Sequence, residues 1–230
     1  MAQQRFRVWF RKGERVRYIS HLDVLRYWER CLRRANLPLS YSQGFTPHPK
    51  LAFAGPLPLG FLAESEVVDV TLDERVPLAD FRDRLATETS EDLTIVRVEE
   101  VALSTPAPQA SLLWADYEVT IDGIDPASAT EVVAHFLAST EYPWTEERRE
   151  KNRTYDLRAA VGTLAARAAP EGTTLAMRLL STQDSMGRPE QLVAALFPGA
   201  EASRVVRTGL IFAEASPAHD AWRRRGRFES

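Results

Sequence analysis

Between Leu37 and Leu51 the chain reads Leu-Pro-Leu-Ser-Tyr-Ser-Gln-Gly-Phe-Thr-Pro-His-Pro-Lys-Leu, a run that sets aromatic and basic side chains among turn-formers. Tyr41, Phe45 and His48 offer ring faces on which unpaired bases stack, and Gln43 and Lys50 stand beside them as further RNA contacts. Gly44 permits a positive φ or the close approach of a ligand backbone. Pro47 and Pro49 restrict the neighbours of His48, so its ring is presented with little entropy left to lose. The structural reading of the same run is a rigid plug whose aromatics seal the edge of a core.

Just upstream, Arg26, Arg30, Arg33 and Arg34 recur at helical spacing, on a different face from Leu22, Leu25, Trp28, Leu32 and Ala35, which are expected to point inward. With Arg17 they are candidates for holding phosphates. Charge supports this reading: residues 1–50 carry eleven basic and three acidic groups, a net +8, whereas the remaining residues sum to −11. Internal pairing with the acidic part is the structural alternative. A second basic group, Arg148, Arg149, Lys151, Arg153 and Arg158, surrounds an expected hairpin turn near Asn152. Ser185-Met-Gly-Arg-Pro189 precedes a helix start able to hold an anion. The tail Trp222-Arg-Arg-Arg-Gly-Arg-Phe228 mixes arginines with aromatics.

The same residues suggest catalysis. His21 or His48 can act as general base in a metal-independent ribonuclease, with Tyr41 orienting the ribose and Lys50 or Arg17 neutralising the developing phosphorane. His21, Asp23 and His48 would suit an open metal site if they converged, but their spacing matches no compact signature, so neither metal nor cofactor is expected. The single cysteine, Cys31, excludes an internal disulfide and any cluster needing several thiolates, and reads as a small hydrophobe. No serine nucleophile elbow, P-loop or dinucleotide fingerprint occurs.

The elements that must position these groups follow from periodicity. Phe6, Val8 and Phe10 alternate as a half-buried strand. Ser20 is an N-cap with Asp23 three residues on, and Asn36 and Pro38 close that helix. Strands follow around Leu51–Ala54 and at Val67–Leu72, then a helix opened by Pro77 and a strand at Leu93–Val101. This β-α-β-β-α-β order predicts an α+β, ferredoxin-like domain over 1–104. After a Pro/Ser/Ala linker the order returns over 111–215, with strands at Leu112–Ile121, Thr174–Leu180 and Arg204–Phe212 and helices starting near Pro126 and Pro189. Trp144–Val161 reads as one or two strands, with a partial helix over Leu157–Ala168 as the competing reading. The expectation is tandem ferredoxin-like domains and a basic tail over 216–230. No run of eighteen apolar residues occurs, so no membrane span is expected, and cytoplasmic residence is.

Tyr18-Ile-Ser-His-Leu-Asp23, the stretch from Arg30 to Leu39, and Tyr41-Ser-Gln-Gly-Phe-Thr-Pro-His-Pro49 together resemble the radical-SAM-linked protein family. Pro56-Leu-Pro-Leu-Gly60 and Lys151-Asn-Arg-Thr-Tyr-Asp-Leu-Arg158 extend the likeness, and Glu66-Val-Val-Asp69 departs from it. The family is a domain of unknown function found beside or fused to cobalamin-binding radical SAM proteins. The resemblance implies a radical SAM partner rather than that chemistry within this chain. The leading expectation is an RNA-binding accessory protein presenting structured RNA to that enzyme. The ribonuclease, and a protein-docking subunit with no RNA contact, are the alternatives.

Overall fold

The computed structural model describes residues 3–146, 153–182 and 187–213, with only the backbone of Arg153. Alternation builds β1 (Gln4–Lys12), whose Phe6, Val8 and Phe10 are buried. A short 3-10 turn at Glu14–Val16 leads to α1 (His21–Arg34). Ser20 starts α1 by accepting from the Asp23 N–H, while the Asp23 carboxylate accepts from the Ser20 N–H, a reciprocal capping box. The inward row of α1 is Val24, Trp28, Cys31 and Leu32, with Ala35 just beyond. Leu22, expected in that row, is 52% exposed. It sits two residues from Val24, about 200° around the helix, so the phase set by Trp28 turns it outward.

The first half continues with β2 (Leu51–Phe53), β3 (Leu62–Leu72), α2 (Leu78–Ala86) and β4 (Ile95–Val101). A short helix, α3 (Pro108–Ser111), leads into β5 (Leu112–Asp122), α4 (Pro126–Ala138), β6 (Pro143–Glu146) and β7 (Arg153–Asp156). Then come β8 (Val161–Ala169), β9 (Gly172–Leu180), α5 (Pro189–Leu196) and β10 (Ala202–Phe212). The competing reading of a partial helix over Leu157–Ala168 does not hold. One 3-10 turn at Arg158–Ala160 gives way to β8, because pairing along β9 outweighs the helical propensity of its alanines.

One eight-stranded sheet runs through both halves in the order β4-β1-β3-β10-β5-β9-β8, with β2 also on β3; β6 and β7 form a separate hairpin. Within each half the order is that of a β-α-β-β-α-β chain: β4-β1-β3-β2 and β10-β5-β9-β8. The named pairings are antiparallel except the seam between β3 and β10, which is parallel and aligns Val206 with Leu62 and Arg207 with Ala63.

Directly opposed residues on paired strands share a face. Lys12, Ala63, Arg207, Tyr117 and Met177 oppose one another in turn across the sheet. Phe10, two residues from Lys12, packs with α1 and α2, and Met177 packs with α4 and α5. Both helix pairs therefore cover the same sheet face, each over its own core. On the reverse face Arg7 grips Asp69 through two bonds of 2.7 and 3.0 Å. Arg5 and Arg7 also donate to the carbonyls of Ala102, Thr105 and Pro106, tying the inter-half connection to the sheet. Among the described residues no helix is long and apolar enough to cross a membrane.

Candidate functional site

The Pro/aromatic loop is a closed hairpin standing on α1. Tyr41 bridges Pro49, the Ser42 N–H donates to the His48 carbonyl at 2.8 Å, and the His48 N–H donates to Ser42 Oγ at 3.0 Å. Gly44 takes φ +144°, in the region that favours glycine. Phe45 is fully exposed, and Tyr41, Gln43, His48 and Lys50 are also exposed. The plug reading of Phe45 is thereby excluded: its ring touches no core.

Glu29 joins loop to helix. Its largely buried carboxylate lies 3.6 Å from His48 Nδ1 and 3.1 Å from the Arg33 guanidinium one helical turn on. The four arginines of α1 differ in what they have left to offer. Arg30 is exposed and has no ion-pair partner among the described residues. Arg26 lies 3.8 Å from Asp23, and both remain more than half exposed. Arg34 is bound at 2.6 Å by Glu88 and also donates to the Glu88 carbonyl. Arg17 is engaged by the fold: it donates to the Gly60 carbonyl at 2.8 Å and the Ser203 carbonyl at 2.9 Å. Arg158 likewise donates to the Val161 carbonyl and lies over the Phe136 ring, away from the loop. Lys151, Arg148 and Arg149, the Arg153 side chain, Ser185, Met186 and the tail 216–230 lie outside the described residues. Arg188, next to them, pairs with Glu146 at 3.0 Å.

The two histidines are not brought together. His48 meets α1 at Glu29, whereas His21 stands eight residues earlier, about 12 Å along the helix axis. His21 sets its ring edge-on to Phe53, 5.1 Å between centroids. Asp23 is committed to the cap, where the bonds from Ser20 hold its carboxyl below the usual range. No metal-ligating cluster occurs among the described residues.

His21 instead borders a second polar centre that sequence reasoning missed. A small cavity of about 10 Å³ is lined by Lys12, His21 and Glu66 among Phe10, Val24, Phe53 and Leu57. That is room for roughly one water. Lys12 Nζ donates to the carbonyls of Arg17, Ile19 and Phe61 at 2.8–3.3 Å. Glu66 receives two bonds from Arg207, which also reaches the Gly55 and Pro56 carbonyls. Burial pushes the Lys12 ammonium and the His21 imidazole below their ordinary values, with Glu66 opposing. Burial works against the Arg207 charge too, but Glu66 outweighs it and holds the guanidinium protonated. This centre pins the 55–61 loop over the sheet seam. Its only sequence signal was a charged residue at an inward strand position, visible once the strand pairing is known.

Loop and helix together therefore present exposed rings beside exposed cations, suited to unpaired bases and phosphates. A solved structure described as "Crystal Structure of a Cbf5-Nop10-Gar1 Complex" is similar to this chain at TM-score 0.47 and 14% identity, covering 90% of this chain and 48% of that one. The chain thus spans about half the length of that relative. No curated protein matches the chain. A family model does match, over residues 5–189, and the chain belongs to that family, the uncharacterized proteins conserved in bacteria designated DUF2344.

Proposed function

We propose that the protein is an RNA-binding accessory protein that works with a radical SAM enzyme, presenting structured RNA for modification. The observation that carries the RNA reading is the placement of the fully exposed Phe45 on a closed loop joined through Glu29 to the arginine face of α1. The radical SAM partner rests on the sequence resemblance of Tyr18–Asp23 and Tyr41–Pro49, and the lone, buried Cys31 leaves cluster chemistry to that partner. Tyr18, Leu22 and Leu59, all exposed, supply an apolar surface toward the N-terminal end of α1 on which the enzyme docks.

The test is binding to labelled total RNA across 50–200 mM salt, beside a variant carrying Arg30→Ala, Arg33→Ala and Tyr41→Ala. Contact with several phosphates gives an affinity that falls steeply with salt, and the variant loses most of it. Absence of binding even at low salt sinks the reading. One observation favours a second reading: the Glu29 carboxylate lies 3.6 Å from Nδ1 of the exposed His48 side chain, a neighbour that a carboxylate-assisted general base would need. A denaturing gel of the same samples decides it, because a ribonuclease shortens the RNA without added metal.

A further inference from the structure

The neck of the Tyr41–Pro49 loop is closed by a backbone bridge and two hydrogen bonds, and Pro47 and Pro49 stiffen its returning arm. Above that neck the residues around Phe45 are exposed as well. At Gly44 no heavy atom beyond Gln43 and Phe45 lies within 4 Å of where a Cβ would stand, so the backbone beside the ring is open to an approaching group. An aromatic held out in this way is a preformed knob, and little ordering accompanies its binding.

The basic face beside it is short. Arg33 lies seven residues beyond Arg26 on α1, about 10 Å of helix axis, which matches about three nucleotides of one strand. The side chains of Arg26 and Arg33 are 58% and 50% exposed, and Arg30 lies between them. Three helix cations with Lys50, and Phe45 standing out beyond Tyr41 and His48 on one short loop, make a footprint for a local feature rather than a long helix.

We propose, building on the RNA-binding reading, that the ligand class of this site is a short RNA stem interrupted by an unpaired nucleotide. The reason is steric. A continuous A-form duplex keeps its bases stacked, and its major groove is too deep and narrow for side chains to read. Phe45 finds no free base face there. A bulged nucleotide supplies one, while the adjoining strand lies along Arg26, Arg30 and Arg33.

Three labelled RNAs test this against the full chain: a perfect duplex, the same duplex with one bulged nucleotide, and an unstructured strand of equal length. The bulged duplex is bound about tenfold or more tighter than the perfect one. Phe45→Ala, at a position with no packing role, erases that difference. Arg30→Ala weakens all three and lowers the slope of log affinity against log salt by about one. Equal binding of perfect and bulged duplex by the wild type overturns the inference while leaving RNA binding intact, as does tightest binding of the unstructured strand. If none of the three binds at low salt, the RNA reading itself fails and the inference falls with it.

Discussion

His21 carries a prediction that separates a structural histidine from a catalytic one. Its ring is half-buried beside Lys12 and Arg207, two cations already facing the single carboxylate of Glu66. Burial, aided by Arg207 and opposed by Glu66, holds the imidazole below its ordinary value of 6.5. The unfolded chain therefore takes up this proton first. Stability falls as the pH drops below about 6.5 and stops falling from this source once folded His21 itself protonates. His21→Gln removes the effect. The melting temperature of the wild type is expected to decline more between pH 7 and pH 5.5 than that of the variant, measured by thermal denaturation at matched ionic strength. Parallel curves would show that protonating His21 meets no penalty in the fold.

At the scale of elements, α1 decides whether the arginines and the aromatic loop share one surface. Ser20→Ala removes the side-chain acceptor of the capping box and costs about 1 kcal/mol. For a chain of this size that lowers the melting temperature by about 2–4 °C, and circular dichroism melts check it. This box was legible in the sequence, because a serine followed three residues later by an acid is a local signal. So was β1, where Phe6, Val8 and Phe10 alternate inward. Leu22 was misplaced because it fits the same apolar period as Leu25 and Trp28, and only the packing of Val24 and Trp28 on the sheet fixes the phase. The arginines were legible as a basic face but not in their availability. Arg34 is held by Glu88, 54 residues away, and Arg17 by the Ser203 carbonyl, 186 away. No local pattern announces such partners. Phe45 shows the reverse: its chain neighbours fit a plug as well as a platform, and it is exposure, which no local pattern announces, that removes the plug.

For the molecule as a whole, Arg207 is one of several ties across the seam between β3 and β10, beside the Arg17–Ser203 bond and a reverse-face cluster in which Leu112, Leu210 and Phe212 meet Ala54, Val67 and Trp9. The two halves have separate cores, and the parallel register that joins them aligns only Leu62 with Val206 and Ala63 with Arg207. Leu57 and Phe61 reach from the 55–61 loop into the second core, and Arg207 fixes the start of that loop through the Gly55 and Pro56 carbonyls. Arg207→Met strands the Glu66 carboxylate in the interior, which costs about 3–5 kcal/mol. Replacing both partners by apolar residues, Glu66→Leu with Arg207→Met, recovers only part of that loss, because the buried Lys12 ammonium keeps its three carbonyl acceptors but loses the carboxylate that opposes its burial. The single variant should also lose unity. Calorimetry is expected to show one transition for the wild type and two for Arg207→Met, as each core melts on its own once the seam is loosened. A single transition, shifted down as a whole, would mean instead that the apolar contacts across the seam, Leu57 and Phe61 on one face and the Trp9–Val67–Leu112 cluster on the other, suffice to couple the halves, and that the buried ion pair sets only the stability of the junction.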